Sequence, residues 1–418
     1  MTAAVSAKLA LAIAERLLDV DVVARGLSQT ARESLSGLSG TALLHARLSA
    51  VDDCFATAAV EHWNRLAIHI RQRGSTGSGI FTGLGSVAAS LIIGASYLPD
   101  AQRLHDQCAA AARWLSAHAI AIAEQQHDRL RSCEPPTSWA AYDVICGLAG
   151  IGRVLMAAVD QGHEHVTIGL EAALQTLTAM INSGSESRPG WWLPPDAHPS
   201  AAQVHPSGAA ATGTAHGIAG PLALLAVARI AGHDVPGQEK GIRAAADWLL
   251  RWRDPATEMW PPRITGYELE CGKAAPVRGR HDAWCYGIPG IAVALAQAAR
   301  ATSEDKYQVT AHQAMRSLAA RGSPTWDVEG PTLCHGYAGI LAASDDHPGL
   351  AELAARRIET VANPRHRYLV QHSERGALED DPGLLTGAAG AALALADHAG
   401  LPSSATPASR WNCILLLS

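Results

Sequence analysis

The sequence predicts an all-α protein whose helices close into an α/α toroid, a double-layered barrel of six repeats. Three observations predict it. The 418-residue chain is 48% hydrophobic and 17% charged, rich in Ala, Leu and Gly but holding two Phe, which favours closely packed helices over an aromatic-rich sandwich. A G-x-x-G signature followed by an Ala/Leu/Ile-rich run recurs six times. Between the copies lie longer stretches with apolar residues at three- and four-residue intervals, the pattern of amphipathic helices.

The copies are FTGLGSVAASLI at Gly83, ICGLAGIGRVLM at Gly147, AHGIAGPLALLA at Gly217, CYGIPGIAVALA at Gly287, CHGYAGILAASD at Gly336 and LTGAAGAALALA at Gly387. Their first glycines are 64, 70, 70, 49 and 51 residues apart. Each apolar run predicts an inner helix. Stretches such as KGIRAAADWLLRWR and GLAELAARRIETVA predict the outer helix that follows it. Glycines at i and i+3 lie on one helix face and remove side chains there, so neighbouring helix starts approach closely. An open solenoid shares the periodicity, but six copies match closure of a ring. The chain reads as one domain, 1–418. Two Pro-, Gly- and Trp-rich segments near 184–212 and 253–283 break the helical period and read as loops or small extended insertions.

Composition excludes several classes. Net charge is -6 and Lys and Arg are scattered, so nothing resembles a nucleic-acid footprint. The opening MTAAVSAKLALAIAERLLDV is too short in its apolar run for a signal peptide and suits an amphipathic first helix. No stretch approaches the ~18 apolar residues of a membrane span. The eight cysteines are dilute, unlike a disulfide scaffold, and read as reduced thiols of a soluble cytoplasmic protein.

The two residues before each first glycine carry the chemistry. Through the repeats they are Phe-Thr, Ile-Cys, Ala-His, Cys-Tyr, Cys-His and Leu-Thr. Equivalent positions of a ring face one another, so repeats three to five gather His216, Cys285, Cys334 and His335. Cys285, Cys334 and His335 make a mixed S and N zinc set with the fourth position left for water or substrate. Cys108 and Cys146 read instead as inert buried thiols. From spacing alone His216 is either a fourth ligand or a free acid/base group, and Asp143 either a rim carboxylate or, the favoured reading, a helix cap.

YDVICGLAG, GTAHGIAG, WCYGIPG and LCHGYAG, in that order, resemble the lanthionine synthetase C family, the cyclases that close thioether rings in lanthipeptides. The likeness runs from about residue 79 to the C-terminus. It implies an α/α toroid with one catalytic zinc per chain on Cys285, Cys334 and His335, His216 and Asp143 as acid/base groups, and Tyr286 lining the site. Where such cyclases carry an Arg four residues before the WCYG cysteine, this chain has His281, with Arg280 beside it. Either fills that role. The chain reads as the stand-alone, class I type, acting after a separate dehydratase.

The reaction so implied adds a peptide Cys thiol to dehydroalanine or dehydrobutyrine in the same dehydrated precursor, leader plus core. A free thiol, with pKa about 8.5, is mostly protonated at neutral pH, and zinc removes its proton. Two protein thiolates cancel the metal's charge and favour nucleophilicity. His216 then protonates the enolate. Expected partners are the precursor, a dehydratase and a peptide transporter, the last placing the protein at a membrane surface through contacts rather than a span. Trp191, Trp192 and Trp260 are candidates for leader contact, with simple packing favoured. Two rivals stand: a zinc-dependent protein prenyltransferase, which needs a basic diphosphate cluster absent near the repeats, and a non-catalytic peptide-binding toroid.

Overall fold

The structure, a computed structural model, describes residues 2–25, 27–75, 77, 79–99, 101–198, 204–276, 281–405 and 409–418. Its helices are α1 (Thr2–Arg16), α2 (Val20–Arg25), α3 (Gln29–Glu33), α4 (Leu38–Leu48), α5 (Asp53–Arg73), α6 (Gly83–Ala95), α7 (His105–Arg131), α8 (Leu148–Asp160) and α9 (Thr167–Ser183). They continue as α10 (Ala219–Ile230), α11 (Gln238–Trp252), α12 (Gly266–Cys271), α13 (Ile288–Thr302), α14 (Asp305–Arg321), α15 (Tyr337–Ala342), α16 (Pro348–Val361) and α17 (Ala388–His398). Four short strands are β1 (Ala209–Ala211), β2 (Arg263–Thr265), β3 (His372–Glu374) and β4 (Ala377–Glu379). The chain divides into two compact units.

The first unit comprises Met1–Trp114, Ala157–Glu164 and Gly322–Cys413. In it α6, α4, α17 and α15 follow one another side by side, with α5, α1 and α16 packed against them. The two kinds of helix differ as their sequences require. All of α4 is buried, and α17 is buried over most of its surface. By contrast, α16 buries a stripe of Leu350, Ala351, Ala354, Ala355 and Ile358. A helix apolar nearly all round, as α17 is, belongs inside, and one with a stripe belongs on the outside of it.

The second unit comprises Leu115–Met156, His165–Arg321 and Ile414–Ser418. Here α10 and α13 are neighbours, with α9, α11 and α14 packed against them. The two predicted insertions, near 184–212 and 253–283, contribute β1 and β2, which pair antiparallel with Ala209 opposite Thr265 and Ala211 opposite Arg263. Both insertions are thus joined in one small sheet. A second sheet, the hairpin β3–β4, was not expected from the sequence. Its turn residues Arg375 and Gly376 have φ 51° and 85°, the left-handed pair of a tight two-residue hairpin.

All six signatures open helices, and the count rises to seven. Gly37-Leu38-Ser39-Gly40 opens α4 in the same way, so the expected six repeats become seven inner helices among the described residues. The pairing order is also corrected. Among the described residues nothing helical of the outer kind follows α17; its outer partner is α1.

The helix starts explain the signature. An α-helix leaves its first N–H groups without partners. At Gly287, Gly336 and Gly387 no side chain caps them. The preceding loop folds back instead, so Ile288 N–H donates to His281 O (2.8 Å), Tyr337 N–H to Gly330 O (2.9 Å) and Ala388 N–H to Asp381 O (2.9 Å). That return passes directly over the first glycine, where a Cβ at Gly287 would press on the His281 carbonyl and the Ala283 nitrogen. The second glycine, Gly290, faces both Trp284 O of its own loop and Thr214 of the neighbouring repeat. So only the second of the pair serves the close approach of neighbours.

Candidate functional site

Loops of successive repeats are tied by their backbones. In the second unit Val144 N–H donates to Ala215 O and Ala215 N–H to Cys285 O, both at 3.1 Å. In the first unit Cys334 N–H donates to Leu385 O (2.8 Å), Leu384 N–H to Leu35 O (2.7 Å) and Leu35 N–H to Phe81 O (3.1 Å). Most of these residues stand two places before a first glycine. A shared sequence offset therefore becomes a shared place on a hydrogen-bonded ladder.

The second unit brings Asp143, His216, Cys285 and Tyr286 together. Asp143 is buried (1% exposed) and uses both oxygens. Its Oδ1 accepts from Cys146 N–H (2.7 Å) and Gly147 N–H (2.8 Å), while Oδ2 lies 2.5 Å from His216 Nδ1. The rim carboxylate and the cap, set as alternatives by the sequence, are thus compatible: one oxygen meets backbone N–H groups and the other meets His216. Since a carboxylate only accepts, Nδ1 carries the proton and Nε2 is left without it. His216 is partly open to solvent, with 28% of its side chain exposed. Its ring stacks on Trp139, with centroids 4.7 Å apart and planes at 21°, and lies 6.2 Å from the Tyr286 ring. Cys285 is buried beside it on the ladder.

His281 gives its carbonyl to the start of α13, and its Nε2 stands 3.7 Å from Asp282 Oδ2. Asp282 is fully buried and held by a two-pronged bond from Arg321 at 2.9 and 2.5 Å. Arg280, the other candidate for the arginine role, lies outside the described residues.

In the first unit Cys334 is partly exposed and His335 buried (3%). Neither ring nitrogen of His335 has a hydrogen-bond partner. Its ring meets that of His372, on β3, edge to face at 5.1 Å. Burial, and next the neighbouring His335, push the His372 pKa down. His335, His372 and Glu374 present ligand atoms within 4.8 Å of one another. The hairpin carrying His372 and Glu374 is tied to the Cys334–His335 loop, because Arg375 N–H donates to Glu329 Oε2 and Glu329 N–H to His335 O. The three expected zinc ligands divide between the units, Cys285 in the second and Cys334 and His335 in the first. Burial pushes the Cys108 thiol up to about 12, and burial with Asp143 pushes Cys146 to about 11, as expected of inert thiols.

Residues 32–410 match the family model described as lanthionine synthetase C-like protein. The chain belongs to the lanthionine synthetase C-like family. Among the curated relatives of this family member is the nisin biosynthesis protein NisC of Lactococcus lactis subsp. lactis, 27% identical over 227 residues. That match takes in 51% of this chain and 49% of that protein, so the chain spans about half the length of the curated relative it matches. A solved structure of nisin cyclase matches with a TM-score of 0.75 at 18% identity, covering 92% of each chain. That likeness shows the fold, the α/α toroid expected from the repeats.

Several features of this lanthionine synthetase C-like chain were not foreseen. Trp139 sits four residues before Asp143, but its partner His216 is far along the chain and no local pattern announces a stack. His372 belongs to a hairpin too short and polar to read as strands. For the tryptophans the favoured reading is packing, and Trp191 (3%) and Trp260 (0%) are buried in the core. Trp192 packs under Arg188 and donates to Ser207 O.

Proposed function

We propose that this chain is a zinc-dependent lanthipeptide cyclase that joins Cys thiols to dehydroalanine or dehydrobutyrine within one dehydrated precursor peptide, leader plus core. Cys285, Cys334 and His335 hold one zinc ion. The donors fit: two thiolates and an imidazole leave one position of a tetrahedral site for substrate. A buried imidazole with two unpartnered nitrogens, as His335 has, is costly unless a cation takes one of them. When bound, the ion supplies the charge that keeps a substrate thiol deprotonated at neutral pH, below its ordinary pKa of about 8.5.

The observation that carries the reading is the Asp143–His216 pair (2.5 Å) placed on the loop bonded to Cys285. Attack forms the S–C bond at the β-carbon while the double-bond electrons move toward the carbonyl, giving an enolate. His216 Nε2–H protonates its α-carbon. Asp143, on Nδ1, holds the ring in place and offsets the imidazolium charge while that proton is bound. The thiol's proton replaces the one given up, so product and substrate have equal mass. Tyr286 walls the imidazole, and His281 takes the donor role at the position where related cyclases carry Arg. A separate dehydratase supplies the substrate, and a peptide transporter takes up the product. No helix among the described residues is long and apolar enough to cross a membrane, and we assign the protein to the reducing cytosol, where thiolate donors persist.

The test uses a leader-bearing peptide with one cysteine and one dehydroalanine. Wild type removes the free thiol without mass change; a gain in mass would instead indicate prenyl-type transfer. His216→Ala keeps its zinc and loses about 100-fold or more in rate. Loss of metal from that variant makes His216 a ligand and overturns its role. Cys334→Ala loses both metal and activity, whereas His372→Ala keeps one zinc. If only His372→Ala empties the protein, the metal sits on His335, His372 and Glu374 instead.

A further inference from the structure

We propose that Trp139 is a positioning residue for His216, and that the two insertions exist in part to brace it. The inference rests on the acid/base reading of His216. Trp139 and Asp143 belong to one tight turn, in which Trp139 O accepts from Tyr142 N–H (3.0 Å) and Asp143 N–H (2.9 Å). Indole and carboxylate are thereby fixed relative to each other, and both meet the same imidazole. The bond from Nδ1 to Asp143 holds one point of that ring and leaves it free to swing about the bond. A flat wall at 4.7 Å, inclined by 21°, removes that swing. Together they set the direction in which Nε2 points, and a displacement of about 1 Å at a reacting centre costs up to ~100-fold in rate.

The wall is itself held. From the first insertion His198, 3% exposed, meets the indole edge to face at 5.4 Å. From the second, Arg263 stands 5.9 Å from its centroid. The β1–β2 pairing, with Ala211 opposite Arg263, fastens these two segments to each other. Trp139 Nε1 is buried and has no hydrogen-bond partner. That cost is tolerated where the ring's face, rather than its N–H, is what the site uses.

The test compares Trp139→Phe, Trp139→Leu and Trp139→Ala in the full-length, zinc-loaded protein. Turnover is read with the leader-bearing cysteine/dehydroalanine peptide, metal content by elemental analysis, and the His216 ring by 15N spectra assigned by difference with His216→Gln. Trp139→Ala is expected to lose about tenfold or more in kcat with KM and zinc unchanged. Its His216 ring signals keep the Nδ1–H tautomer but shift and broaden as the ring gains further orientations, and Trp139→Phe restores most of both. Equal activity in the Phe and Leu variants removes the stack as the cause, even if the Ala variant fails to fold. A rise in KM alone makes Trp139 a substrate contact; unchanged 15N signals end the proposal. Full activity of His216→Ala overturns the acid/base reading instead, and the 15N spectra still report whether the stack orients the ring.

Discussion

Asp143 divides its two oxygens between incompatible demands, and that division makes an exacting prediction. Oδ1 is claimed by the N–H groups of Cys146 and Gly147, so it must remain an acceptor. In Asp143→Asn the carbonyl oxygen therefore stays on that side, and the NH2 group turns toward His216. The imidazole must then accept at Nδ1 and carry its proton on Nε2, the wrong tautomer in the neutral ring and without a carboxylate to support the charged one. Shape and volume hardly change, and the backbone bonds survive. Asp143→Asn should keep its Tm and zinc while losing about 10²–10⁴-fold in kcat at neutral pH. The tautomer is directly visible in ring 15N shifts. Near-normal turnover with Nδ1 still protonated would mean that the carboxylate only caps the helix.

At the scale of the element, the repeat is a loop whose carbonyls cap the helix it leads into, and the first glycine is where that return fits. Its φ of -119° is open to any residue, so a substitution at Gly287 meets only the steric problem of the folded-back loop. Gly287→Ala must displace the His281–Ala283 segment and with it the bond from Ile288 N–H. A destabilisation of about 1–3 kcal/mol, the usual cost of overpacking, is expected in urea unfolding. Gly349→Ala is the control. It lies near a helix start too, in the first turn of α16, but a Cβ there meets nothing within 4 Å. It should be neutral or stabilise by up to about 1 kcal/mol. Similar behaviour of the two would show that helix propensity, rather than the loop, governs the signature.

The same elements show what was legible beforehand. Six loops and the residues they carry were readable because signature, offset and apolar run coincide in one short window. The copy at Gly37 escaped because α4 breaks its apolar run with Ser39, Thr41, His45 and Arg47. All are buried, and three of them find partners in distant places: Thr41 in His62, His45 Nε2 in the Leu17 carbonyl, Arg47 in Asp397. Hydrophobic periodicity cannot register a core position filled by a satisfied polar group. The β1–β2 sheet and the Trp139–His216 stack were hidden for a related reason. Each depends on partners dozens of residues apart, and neither leaves a local period.

Those buried polar groups also set how the folded molecule responds to acid. His45 is held down to about 3 by burial first and by neighbouring His62 second; burial holds His62 to about 4. Both remain neutral in the folded protein across the range in which an unfolded chain, titrating near 6.5, takes up protons. The unfolded state thus binds more protons below pH 6.5, and stability falls with pH by up to about 1.4 kcal/mol per unit for each histidine until the folded values are reached. Above pH 6.5 the two contribute no slope. Asp381 acts in the opposite sense, since burial raises its carboxyl, but its effect belongs nearer the carboxylate range. The comparison to make is the fall in Tm from pH 7.5 to 5 in wild type and in His45→Gln/His62→Gln. Side-chain donors are kept by Gln, and acid effects common to both proteins, including metal release, cancel in the difference. The wild type should lose Tm more steeply below pH 6.5 than the double variant. Parallel curves would place the acid sensitivity elsewhere and imply that these two imidazoles are protonated, and solvated, in the folded state.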